Sequence, residues 1–188
     1  GTKIGDDAKL TTLISWFDQF AKDPGGLRRT AETDDPSVFA NPTLTTKGAL
    51  LANSRVYRSN TQIGFNYEKS LNANNTLNLI TYAGQRDNLQ YLSTSATSGA
   101  GRASSINREF YGTEARLTNK GNFLEKPYVL SYGINFGSME DARKDNTALN
   151  GEISVATPSR NETQSATNFD QYAQGMWSFA DRWDLHAG

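Results

Sequence analysis

Apolar and polar residues alternate along much of this chain. In YVLSYGINFGS, residues 128–138, Tyr128, Leu130, Tyr132, Ile134 and Phe136 fall on one parity. Val129, Ser131, Gly133, Asn135 and Gly137 fall on the other. A period of two marks an extended strand whose two faces meet different surroundings. Arg58–Ser70 repeats it, with Ile63, Phe65 and Tyr67 against Gln62, Gly64, Asn66 and Glu68. Glu109–Thr118 sets Tyr111, Thr113, Ala115 and Leu117 against Gly112, Glu114 and Arg116. Leu10–Phe20 is rich in β-branched and aromatic residues, and the tail carries Ala173, Gly175 and Trp177, then Trp183, Leu185 and Ala187, on one face. Thr76–Leu92 is longer than a typical soluble strand. Its faces stay ambiguous, because Leu77 and Leu79 compete with Ile80 and Tyr82. No period of 3.6 is sustained. The pattern predicts an all-β chain, an antiparallel up-and-down meander of about seven strands.

The breaks between these strands alternate in length. They run long (21–57), short (71–75), medium-long (93–107), short (119–126), long (140–167) and short (180–182). Such alternation fits a meander whose two ends face different environments. A transmembrane β-barrel of the bacterial outer membrane has short periplasmic turns and longer extracellular loops, and closure satisfies the backbone groups that lipid cannot. On that reading Trp177 and Trp183 flank a periplasmic turn at headgroup depth, and Tyr128 sits at the same end. The opposite face, with Gly, Ser, Asn, Glu and Arg, suits a wet lumen. A soluble β-protein binding carbohydrate through exposed aromatics would instead need a second layer rich in Val, Ile and Leu.

Composition sharpens this picture. Only 36% of the 188 residues are hydrophobic, yet 11% are aromatic, too many rings for a disordered chain. The net charge of −1 gives no bias toward nucleic acid, and the absence of cysteine removes disulfides and thiolate metal sites. No run approaches the roughly 18 apolar residues of a membrane helix, which leaves barrel strands untouched. Chemistry is sparse. His186 is the only histidine and lacks any nucleophile-elbow context. Asp6-Asp7 and Asp34-Asp35 do not match a calcium loop. Asp23-Pro24-Gly25-Gly26-Leu27 lacks the ending of a phosphate-binding loop. No enzyme, cofactor or metal site is expected.

A resemblance adds a family. Asp23-Pro24-Gly25-Gly26-Leu27 after a strand, YAGQR at 82–86 after NTLNL, REFYG at 108–112 and DQYAQGMW followed by DRWDLHAG at 170–188 occur in an order that resembles the barrel of TonB-dependent outer-membrane receptors, the ferric-siderophore uptake class. The resemblance implies a 22-stranded barrel enclosing a plug moved by TonB, with residues 1–188 as an internal, partial barrel lacking the plug. It implies a ferric siderophore or similar iron chelate as ligand, and outer-membrane lipid and lipopolysaccharide as neighbours. A passive porin-type barrel is the alternative within the membrane. Because such chelates are often anionic, forked guanidinium donors are the natural ligand contacts. The candidates are Arg86, at a strand–loop junction, then Arg102, Arg108, Arg28 and Arg143, with Tyr91 as an aromatic contact. Arg29, Arg160, Lys144 and Phe39 lie in the same loops.

Overall fold

The computed structural model describes residues 1–23, 47–95 and 98–188. They form one antiparallel sheet of nine strands and one short helix. The strands are β1 (Thr2–Ile4), β2 (Ala8–Lys22), β3 (Arg55–Asn72), β4 (Asn75–Ser93), β5 (Ala100–Phe123), β6 (Lys126–Leu149), β7 (Glu152–Ile153), β8 (Arg160–Ala180) and β9 (Trp183–Ala187). The helix α1 is Lys47–Leu51. Strands pair in sequence order as a meander, with β7 a short flap on β6. The seven expected strands correspond to β2 to β6, β8 and β9, with β1 the short strand ahead of the GDDAK turn and β7 an addition on β6.

Two expected loops are mostly strand. β5 begins at Ala100, inside the stretch read as a Ser/Gly loop. β6 runs on to Leu149 and β8 starts at Arg160, so most of the polar break 140–167 is paired. The ladder explains why. Strand pairing satisfies backbone N–H and C=O groups whatever the side chains are, so polar strands extend beyond the zone where hydropathy alternates. The asymmetry of the ends survives. Tight turns join β1 to β2, β3 to β4, β5 to β6 and β8 to β9 at one end, and the longer connections lie at the other.

Register shows the strand tilt. Ala8 pairs with Lys69, and β3 runs on to Asn72. Asn75 pairs with Asn119, and β5 runs on to Phe123. Tyr128 pairs with Trp177, and β8 runs on to Ala180. Each hairpin passes its neighbour in the same direction, the stagger required when strands tilt to close a barrel.

Cross-strand partners share a face, so the register also assigns the ambiguous strand. Leu77, Leu79, Thr81 and Ala83 pair with Leu117, Ala115, Thr113 and Tyr111 on the apolar face. Tyr82 lies on the polar face opposite Gly112, where its ring occupies the space a Cβ would need. Gly133 accommodates Tyr172 in the same way.

Among the described residues no second layer covers either face, and no side chain is fully buried. Ile14 and Trp16 are each 71% exposed, Ile134 48% and Phe169 60%. A soluble sandwich would bury Ile134 and Phe136 against a facing sheet. On the apolar face the band in β6 runs from Tyr128 to about Ser138, close to the 9–11 residues a tilted strand needs to cross hydrocarbon. A buried cluster lies at the long-loop end of the apolar face, where Tyr91, Ala103 and Ala148 pack beside Leu89.

Candidate functional site

The polar face curves inward. A single recess of about 660 Å³ draws lining residues from all six long strands, among them Ser15, Asn60, Tyr82, Arg108, Met139 and Asn168. Strands β2 and β8 reach one recess only if the face between them is concave. The alternation that sends Tyr132 and Ile134 outward therefore turns Arg, Asn and Asp into the hollow.

One row of register partners crosses this recess. Phe17 pairs with Asn60, Asn60 with Arg86, Arg86 with Arg108, Arg108 with Asp141 and Asp141 with Gln164. Arg108 donates from Nε to Asp141 Oδ1 and from Nη2 to Asp141 Oδ2, both at 2.7 Å. Two parallel charge-assisted bonds fix the guanidinium plane. Asp141 lies beyond the apolar band, and its hydrogen bonds to Arg108 hold its carboxyl below the usual carboxylate range. Arg86, directly beside Arg108, is exposed and makes no salt bridge among the described residues. Beneath the two arginines, the rings of Tyr82 and Phe110 lie 6.3 Å apart.

A second charged group lies further toward the long loops. Ser104 Oγ donates to Asp145 Oδ1 at 2.6 Å, and Arg143 Nη2 donates to Asp145 Oδ2 at 3.2 Å. Arg160 approaches Asp145 to 3.9 Å and Glu162 to 3.7 Å. The Ser104 hydrogen bond leads the causes that hold Asp145 below its ordinary value, and Arg143 and Arg160 add to it.

Arg86, Arg102, Arg108 and Arg143 therefore share the concave face, with Arg86 and Arg108 adjacent and Arg102 exposed nearer the loops. Tyr91 takes the other face. Its ring is buried under the Arg55 guanidinium, 3.8 Å from carbon to ring centroid. Arg28, Arg29 and Phe39 lie outside the described residues. Asp141, Asp145, Tyr82 and Phe110 were not singled out in the sequence. Extending the period of two past Ser138 places Asp141, Arg143 and Asp145 on one face with Gly137, the signal that would have found them.

The three rings expected at a membrane interface lie at the short-turn end, Trp177 and Tyr128 on the apolar face and Trp183 just after the β8–β9 turn. Trp177 stands opposite Tyr128, donates from Nε1 to the Phe123 carbonyl at 3.3 Å and meets the Phe123 ring edge-on at 5.4 Å. Tyr128 donates to Asn119 Oδ1 at 2.6 Å, and Asn119 donates to Asn75 Oδ1 at 2.8 Å. Trp183 is 67% exposed. Rings with one polar handle thus gather beside the turns.

Comparison with known proteins agrees with this fold. The crystal structure of the ferric citrate transporter FecA in its unliganded form superposes on 93% of this chain with a TM-score of 0.75 at 13% sequence identity. The chain spans 25% of the length of that protein, and the likeness is one of fold. The family model of the TonB-dependent receptor-like β-barrel matches residues 2–188. That family consists of outer-membrane receptors of Gram-negative bacteria, which are transporters rather than enzymes. By that match over nearly its whole length, the chain belongs to the TonB-dependent receptor-like β-barrel family.

Proposed function

We propose that residues 1–188 form part of the wall of an outer-membrane receptor that binds a ferric siderophore or related iron chelate and imports it with energy delivered through TonB. The barrel encloses a plug supplied by the rest of the protein, and the plug carries the TonB contact. The long-loop end faces outward from the cell and the tight turns face the periplasm. The apolar face meets lipid, with Trp177, Trp183 and Tyr128 at the periplasmic headgroups. Lipopolysaccharide borders the polar strand extensions on the other side.

One observation supports this reading most. The concave face gathers two adjacent guanidiniums against one carboxylate, leaving a surplus positive charge over a floor of aromatic rings. An anionic chelate with an apolar periphery suits that surface. Arg86 is the leading ligand contact, with Arg102 and Arg143 on the same face, and Arg28, outside the described residues, stays a candidate by its sequence. Tyr91 contributes by holding the loop base.

The test is binding and uptake of iron-55 chelates, presented as ferric citrate, a ferric hydroxamate and a ferric catecholate, by the full-length product of the gene. Arg86→Ala is expected to weaken binding of the chelate that is taken up, by roughly 5- to 100-fold for the loss of one charge-assisted contact. Unchanged affinity would remove Arg86 from the site. Failure to take up any iron chelate would overturn the transport reading.

A further inference from the structure

The row through the recess carries an imbalance that ligand capture alone does not explain. Like charges directly opposite each other on adjacent strands are unfavourable, yet Arg86 and Arg108 are direct partners. Asp141 occupies Arg108 with both oxygens, and it is 8% exposed, walled into the strand pair it joins. Arg86 lies open on the far side of Arg108 from Asp141. Four other acids on this wall have their own partners, and Glu68 and Asp184 lie at the short-turn end, away from the row. Asp145 is held by Ser104 and Arg143, Glu162 lies by Arg160, Asp170 accepts from Asn168, and Glu114 accepts from Tyr172.

We infer that Asp141 is a specificity-determining residue. By cancelling Arg108 it limits the Arg86–Arg108 pair to one effective positive charge, so the recess is matched to a ligand presenting a single anionic group at this point. The inference rests on the proposed binding role of the recess. Asp141 acts through Arg108 and is a positioning residue, since its oxygens are already filled. Removing its charge while keeping its shape exposes a two-guanidinium clamp that favours dianions. If Asp141 were only a staple between β5 and β6, its loss would weaken all anions alike or leave them unchanged.

Two iron-free aromatic probes test this, benzoate as monoanion and phthalate as dianion. Both are titrated against the full-length protein in detergent by ligand-observed NMR, with folding checked by heat-modifiable gel migration. Arg86→Gln is expected to weaken both probes. In Asp141→Asn the preference for phthalate over benzoate is expected to rise about fivefold, the attraction of one added unit charge at contact distance in a solvated site. Arg108→Met leaves Asp141 facing Arg86 and is expected to move the preference the opposite way, which keeps the test decisive if Asp141→Asn does not fold. An unchanged ratio in the folded charge variants, or no Arg86-dependent binding of either probe, overturns the inference. Chelate uptake is measured separately, so a failure of the transport reading shows there and not in the probe ratio.

Discussion

Arg55 lies over the ring of Tyr91 at 3.8 Å while its Nη2 donates to the Gly151 carbonyl at 3.0 Å. One side chain at the start of β3 thus ties the end of β4 to the β6–β7 turn. A further bond from Nη1 reaches the Asn53 carbonyl at 3.0 Å and holds the base of the segment containing α1. The knot sits beside Ala103 and Ala148, in the buried cluster that Tyr91 also joins. Arg55→Ala is expected to loosen this end by about 2–4 kcal/mol, from an unpaired buried carbonyl and a lost shielded cation–π contact. Arg55→Lys should recover little, because an ammonium lacks the planar fork. Hydrogen exchange at residues 49–54 and 150–153 reads the effect, and unchanged protection would contradict it.

Asp145 gives a pH dependence with a definite sign. Its folded pKa is depressed, chiefly by the Ser104 hydrogen bond and then by Arg143 and Arg160, from an ordinary value of 3.8. A depressed carboxyl contributes stability that is present above its unfolded pKa and is lost as pH falls through the folded one. The outer ends of β5, β6 and β8 should therefore hold firm at neutral pH and loosen as pH drops below about 4. In Asp145→Asn that acid-side loss should flatten. Limited proteolysis of the outer strand ends across an acid series, using a protease active there, measures it. An identical acid profile in the variant would remove Asp145 as the cause.

The β5–β6 turn carries avoidable backbone strain. Leu124 and Glu125 have φ of 50° and 62°, the left-handed region that costs most residues with a Cβ about 1 kcal/mol or more each. The β6–β7 turn meets the same need with Asn150 and Gly151, at φ of 51° and 83°, the pair such two-residue turns favour. Replacing Leu124-Glu125 by Asn-Gly is expected to stabilise the folded barrel by about 1 kcal/mol in a urea titration. A destabilised variant would show instead that the Leu124 or Glu125 side chain does something the turn geometry does not reveal.

The sequence carried seven of the nine strands, the meander and the face of most strands, because a period of two survives wherever the two faces meet different media. It failed where that contrast fades. Beyond Ser138 both faces are polar, so Glu140–Leu149 reads as loop although its backbone is paired throughout. In β4, Leu77, Leu79, Ile80 and Tyr82 put apolar groups on both parities, and only pairing with β5 decides between them. Tyr82 can point into the hollow because Gly112 leaves room for its ring. At the site, arginines were visible by type, but their arrangement was not. That Arg86 abuts Arg108, and that Asp141 takes up Arg108, depends on the register of three strands. Tyr91 was placed with the arginines by nearness in sequence, whereas an odd step from Arg86 puts it on the opposite face.

Whether Tyr132, Ile134 and Phe136 meet hydrocarbon decides the assignment of faces, and nitroxide scanning of β6 measures that directly. Residues 1–188 hold no cysteine, so single cysteines introduced from 128 to 138 in the full-length protein, with every cysteine outside these residues replaced by serine and the protein refolded into lipid vesicles, report one position each. Collisions with dissolved oxygen, which concentrates in the bilayer, should be high at 130, 132, 134 and 136 and low at 129, 131, 133, 135 and 137. A flat profile, or one with the two parities exchanged, would contradict the assignment of faces and the receptor reading built on it.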